Sequence, residues 1–143
     1  MRTPRSHERI RAELMLRDYS QNKIDLEARK IEIIQRTAPR PDFGIYAKGN
    51  DQDDTANRAA QLLKDPLIQR LTAEITAVDY ARLLCKSGAV KHGDKMLKLI
   101  VLVYERGTHT IVGAAMKCGI RSPHWAGRLI GRYLDLINSY YTN

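Results

Sequence analysis

Between Ile120 and Arg132 the chain reads IRSPHWAGRLIGR, and its arginines are the residues best suited to chemistry. If Ser122 and Pro123 open a helix, Arg121, Ser122, His124, Gly127, Arg128, Gly131 and Arg132 share its polar side. A guanidinium can meet guanine as a two-pronged fork or clamp a phosphate. Glycines at 127 and 131 leave no side chain, which suits either close approach to another surface or packing against a second helix. His124, in the first turn, either reaches a base or stays in solvent. Covalent and acid–base chemistry have no comparable set. There is no Ser/His/Asp or Cys/His motif, no paired carboxylate set and no phosphate-binding glycine loop. His7, His92, His109 and His124 are scattered without a shared partner and are expected on solvated surfaces. The expectation is a binding protein rather than an enzyme, with no cofactor and no metal.

Two elements must position those arginines. Thr110 can cap a helix beginning IVGAAMKC, because its hydroxyl accepts from an orphaned backbone N–H. Gly119 tolerates the left-handed backbone of a sharp helix stop, and Ile120 after it can plug between the two helices. Ser122-Pro123 then starts the second helix, PHWAGRLIGRYLDLINSYY. The result is a helix-turn-helix over 110–141 with Ala115, Gly119, Ile120, Trp125 and Leu129 as its scaffold. Candidate DNA-contacting residues are Thr110, Lys117, Arg121, Ser122, His124, Gly127, Arg128 and Arg132. From Arg106 onward there are five basic residues, Arg106, Lys117, Arg121, Arg128 and Arg132, against one acid, Asp135.

The remainder predicts an all-α protein, a helical bundle with a long N-terminal helix. Residues 4–35 have no internal Gly or Pro, and Ile10, Leu14, Ile24, Ala28 and Ile31 fall on one face interrupted by Arg17 and Gln21. Residues 1–36 read as a helical arm for dimerisation or docking; the polar interruption argues against a strong coiled-coil seam, and a dimer is the favoured homo-oligomer. Residues 37–54 hold Pro39, Pro41, Gly44 and Gly49 and predict a linker, closed by Asp51, Asp53 and Asp54 at a helix N-terminus, where negative charge meets the dipole. Residues 55–143 form the helical DNA-binding domain. In it, TANRAAQLLK is a short helix stopped at Asp65-Pro66, and a second helix carries Ile68, Leu71, Ile75, Val78 and Arg82 to about Lys86 before SGAVKHGD breaks it. KMLKLIVLVYERG suits a strand or a helix. Helix is favoured, because a lone strand would leave backbone groups unsatisfied.

The 143 residues suffice for one core and an appendage, and a net charge of +8 favours a polyanionic partner such as nucleic acid or an anionic membrane face. No run reaches the roughly 18 apolar residues of a membrane span, and the first residues lack a signal-peptide core, so a soluble, intracellular protein is expected. Cys85 and Cys118, without metal-ligand spacing, read as reduced, buried thiols.

The segment 55–141 resembles the RinA/ArpU-like family of phage late-gene transcription regulators, whose C-terminal end is similar to region four of sigma factors. The likeness is carried by DDTANRAAQLL, KMLKLIVLVYERG and TIVGAAMKCGIRSPHWAGRLIGRYLDLI, in that order. It implies an activator of packaging, structural or lysis genes in the bacterial cytoplasm, binding double-stranded DNA and RNA polymerase. On its terms Ala115, Gly119, Ile120, Trp125 and Leu129 match scaffold positions, and Arg121, Ser122, His124 and Arg128 match positions facing DNA. Val112, Gly113 and Met116 depart from the acidic residues common in the first helix, and the first forty residues lie outside the likeness. Two other readings stay open: a small terminase subunit, which would form a ring, and a helical protein-interaction module whose basic face meets an acidic protein.

Overall fold

The computed structural model describes residues 6–37 and 51–141, and every regular element among them is helical, with no strand. The chain is all-α. The helices are α1 (His7–Arg17), α2 (Tyr19–Thr37), α3 (Asp51–Lys64), α4 (Pro66–Ser87), α5 (Gly93–Ile100), α6 (Ile111–Lys117) and α7 (Pro123–Tyr141). α5 runs on as a π-helical turn, Val101–Glu105. None is long and apolar enough to cross a membrane.

The single helix expected over 4–35 is in fact two. Ser6 caps α1 by accepting from the Arg9 N–H, and Asp18 (φ −89°, ψ 2°) ends it, with its own N–H bonded to the Leu14 carbonyl at 2.9 Å. The chain clusters into two compact units. One holds the described residues up to Tyr19 and those from Glu74 onward, and the other those between Ser20 and Ala73. This does not coincide with the expected division at 36 and 54. α1 is no free arm, because Ala12, Met15 and Leu16 lie in the same core as Leu129, Tyr133, Leu134 and Ile137 of α7. The face singled out from the sequence is the exposed one: Ile10, Leu14, Ile24, Ala28 and Ile31 are all at the surface. Of the expected linker, 38–50 lie outside the described residues, and 51–54 already belong to α3.

Polar contacts fix α1 along α7. Arg9 donates through Nε to Asp135 Oδ1 at 3.0 Å and through Nη2 to Oδ2 at 2.9 Å, the bidentate geometry that makes such pairs strong. Gly131 makes room for it, since a Cβ there would stand 2.9 Å from Arg9 Nη1. Arg11 donates to Asn138 Oδ1 at 3.2 Å, and Asn138 Nδ2 donates to the Glu8 carbonyl at 2.6 Å. Gly131 thus serves packing within the chain.

The ambiguous segment is helical because Met96, Leu99 and Ile100 reach the core at helical spacing. Beyond them the Arg106 N–H reaches back five residues to the Val101 carbonyl at 2.8 Å. That wider turn accompanies a buried Tyr104 and a Glu105 that pairs with Arg82 of α4. α5 starts close against α4. An added Cβ at Gly93 would lie 2.5 Å from the Cys85 carbonyl oxygen, which is rigid backbone. Gly93→Ala is therefore expected to lose stability at or beyond the upper end of the roughly 1–3 kcal/mol typical of overpacking, read as a lowered urea midpoint at unchanged slope.

In the second unit, Asp65 accepts from the Ile68 N–H at 3.0 Å as the cap of α4 and is gripped by Arg29 of α2, Nη2 to Oδ1 at 2.8 Å and Nε to Oδ2 at 3.1 Å. The Arg29 hydrogen bonds hold its carboxyl below the usual carboxylate range. A folded-state pKa below the unfolded one adds stability above the ordinary value and loses it as pH falls through the lowered one. Asp65→Asn keeps a competent cap but not the charge. The gap between wild-type and variant urea midpoints should be constant near neutrality and close as pH drops below about 4.

Candidate nucleic-acid interface

Thr110 caps α6, its Oγ1 accepting from the Gly113 N–H at 3.1 Å. At the other end the Ile120 N–H bonds to the Ala115 carbonyl at 2.8 Å and the Gly119 N–H to that of Met116 at 3.2 Å. This nested pair closes a helix through one left-handed residue, and Gly119, at φ +71°, supplies it. Ile120 is consequently driven into the core beside Ala114 and Ala115. Ser122 caps α7 by accepting from the Trp125 N–H at 3.3 Å, with Pro123 as the first helical residue.

Of the expected scaffold, Ala115, Ile120 and Leu129 are buried and Gly119 makes the turn. Trp125 differs. It is half-buried at the core's edge, and the interior wedge of α7 is built instead by Ala126, Leu129, Ile130 and Tyr133. The Tyr133 hydroxyl is buried, and burial pushes its pKa up.

Of the expected contact residues, Arg121, His124, Gly127, Arg128 and Arg132 are exposed, and Ser122 is half-buried by its capping role. Gly127 has open space where a Cβ would sit. Thr110 serves the fold as a cap. Lys117 stands apart from α7's arginines, lining with Lys98 and Arg106 an open groove of about 480 Å³ floored by Leu97, Val101, Leu102 and Cys118. Cys118 is thus half-exposed to that groove, while Cys85 is the buried thiol expected, its pKa raised by burial.

Charge pairing separates two populations of cations. Arg9, Arg17, Arg29, Arg36 and Arg82 each hold a carboxylate: Asp135, Glu13, Asp65, Glu32 and Glu105 respectively. Among the described residues, Arg106, Lys117, Arg121, Arg128 and Arg132 have no such partner, and neither do Arg11 and Arg70 elsewhere in the chain. The lone acid of this segment, Asp135, is engaged by Arg9. The one-sided charge read from the sequence is therefore sharper in three dimensions than the count of five to one.

Further residues of the region lie between α4 and α5 and in the first turn of α5, outside the set read from the sequence. The Lys95 ammonium lies 4.9 Å above the Trp125 ring, and the His92 ring meets that indole edge-on at 5.2 Å. His92, expected on a solvated surface, is half-buried, and its pKa is lowered by burial and then by Lys91, Lys95 and Arg132. The available signal was two lysines four apart, Lys91 before α5 and Lys95 within it; the contact of Lys95 with Trp125, 30 residues away, is not a local one. No group of three His, Cys, Asp or Glu residues among those described is placed to hold a metal.

Comparison with protein families, with curated proteins and with solved structures finds no match to this chain.

Gly119 in the turn and Gly127 in α7 should respond oppositely to alanine. Gly119→Ala forces a side chain into the left-handed region and should cost about 1 kcal/mol. Gly127→Ala fills open space on an exposed helix and should stabilise by about 0.5–1 kcal/mol, both read from urea midpoints.

Proposed function

We propose that the chain is a sequence-specific duplex-DNA-binding transcription regulator acting through the helix-turn-helix of α6 and α7. The observation that carries this is a set of five cations without carboxylate partners, Arg106, Lys117, Arg121, Arg128 and Arg132, around a rigidly turned helix pair whose one acid, Asp135, is held by Arg9. The exposed face of α7, with His124, Gly127, Arg128 and Arg132, has the length and small central residue that suit a major groove about 12 Å wide. Arg121 enters from the turn. An activating role at phage late promoters rests on the sequence resemblance of residues 55–141 alone. RNA polymerase as a second partner and a dimeric state belong to the same reading.

The test begins with duplexes selected from a random pool by the purified full chain. Arg121→Glu with Arg128→Glu should weaken binding to the selected duplex at least tenfold, at a cost of about 1–3 kcal/mol per lost contact. Unchanged affinity would remove α7 from the interface. Alanine in place of each arginine tells the roles apart, because a base contact takes sequence preference with it and a phosphate contact weakens all duplexes alike. Gly127→Ala should weaken binding while stabilising the fold. No affinity for any duplex at low salt would favour the protein-interaction reading.

A further inference from the structure

The open groove at the end of α5 combines two chemistries. Its floor is Leu97, Val101, Leu102 and Cys118, all half-buried, and its rim is Lys98, Arg106 and Lys117, all exposed. Among the described residues, none of α7 lines it. Aliphatic side chains left half-covered in a concavity are apolar surface that a partner removes from water. The rim is held by backbone bonds. The Arg106 N–H closes the π-helical turn on the Val101 carbonyl at 2.8 Å, and the Thr108 and His109 N–H groups return to the Leu102 carbonyl at 3.2 and 3.3 Å. Gly107, at φ +64°, makes the reversal between them. Single π-turns of this kind are frequent at functional sites. Across the groove, Lys117 ends α6, where the Cys118 N–H bonds to the Ala114 carbonyl at 3.0 Å. Neighbouring acids face elsewhere: Glu105 pairs with Arg82, and Asp94, one turn before Lys98, lines a separate cavity with Lys86 and Lys95. Among the described residues the three rim cations hold no carboxylate.

We infer that this groove docks an acidic, amphipathic segment of a partner protein. Its carboxylates meet Lys98, Arg106 and Lys117, and an aliphatic or aromatic side chain rests on Leu97, Val101 and Leu102. Charge complementarity selects the acids. The apolar floor selects a peptide over nucleic acid, because a sugar-phosphate backbone gains little by covering aliphatic side chains. An open groove also suits a peptide better than a small molecule, whose sites enclose most of the ligand. Preformed walls lower the ordering cost of docking. This docking is independent of whether α7 binds DNA.

The experiment selects binders to the full chain from a displayed library of random peptides and measures the enriched peptides in solution by fluorescence anisotropy. They should carry Asp or Glu on both sides of a large apolar residue. Lys98→Glu with Lys117→Glu should weaken them about tenfold or more. The same reversal on α7, Arg121→Glu with Arg128→Glu, should leave them within about twofold, because charges beyond the groove are screened. Cys118 reports the place, since it is half-exposed in the groove while Cys85 is buried. Saturating peptide should slow its alkylation by iodoacetamide several-fold, read by mass spectrometry. No enrichment, enriched peptides without acids, or equal losses in the two double variants overturns the acidic partner. An unchanged Cys118 rate under bound peptide overturns the groove as its seat. Cys118 protection that rises with protein concentration alone makes a second copy the occupant and overturns the assignment. So does a Lys98→Glu protein whose affinity falls alike for every duplex while no peptide binds the wild type, which would make the groove a DNA contact.

Discussion

One left-handed residue, Gly119, carries more of the architecture than its size suggests. Its backbone sign lets the Ala115 and Met116 carbonyls be satisfied while the chain reverses, and the same reversal sends Ile120 inward. With Ile120 seated, the start of α7 has one place to go, because Ser122 and Pro123 commit the next residues to a helix at once. The angle between α6 and α7 is thereby set by covalent geometry and one buried side chain. Long-range forces have little left to decide there.

Long-range forces do fix the other end of α7. α1 is laid along it by Arg9 on Asp135 and by Asn138 bridging to the Glu8 carbonyl, with Gly131 as the gap that admits the guanidinium. α7 therefore has an anchored half and an open half. This division also partitions charge. Acids at 105 and 135 are taken up in pairs between helices and that at 13 in a pair within α1, which leaves the arginines of the turn and the open half without counter-ions.

Features that depend on a few adjacent residues were legible before any coordinates. The caps at Thr110, Ser122 and Asp65, the stop at Gly119 and the span of α4 all follow from side chains that satisfy backbone groups within three or four positions. The contacts that escaped notice link residues far apart in sequence. The apolar face of α1 was chosen by its largest aliphatics, Ile10 and Leu14, yet the buried face is Ala12, Met15 and Leu16, because a close approach to α7 favours a small side chain that hydropathy ranks low. The break at Asp18 carries no Gly or Pro to announce it. Gly131 looked equivalent to Gly127 on the helix, and only the arrival of Arg9 from 122 residues away distinguishes them. Trp125 reads as a core residue because indoles usually are; at the rim it meets Lys95 and His92, a contact that no periodicity in its own helix reveals.

On the proposed reading, the docking of α1 also limits how much information this fold could extract from a nucleic acid. With the Arg9 anchorage starting at Gly131, the open part of α7 runs from Pro123 to about Arg132, ten residues, or about 15 Å of helix. At about 3.4 Å per base pair that length spans only four or so steps. A four-letter word recurs by chance about every 250 base pairs, far too often to single out one promoter among the millions of competing positions in a genome. Under the proposed reading a single copy is too short-sighted for its task, and selectivity has to be assembled by adding words together, through a second protomer on a neighbouring half-site or a polymerase that has already chosen the region.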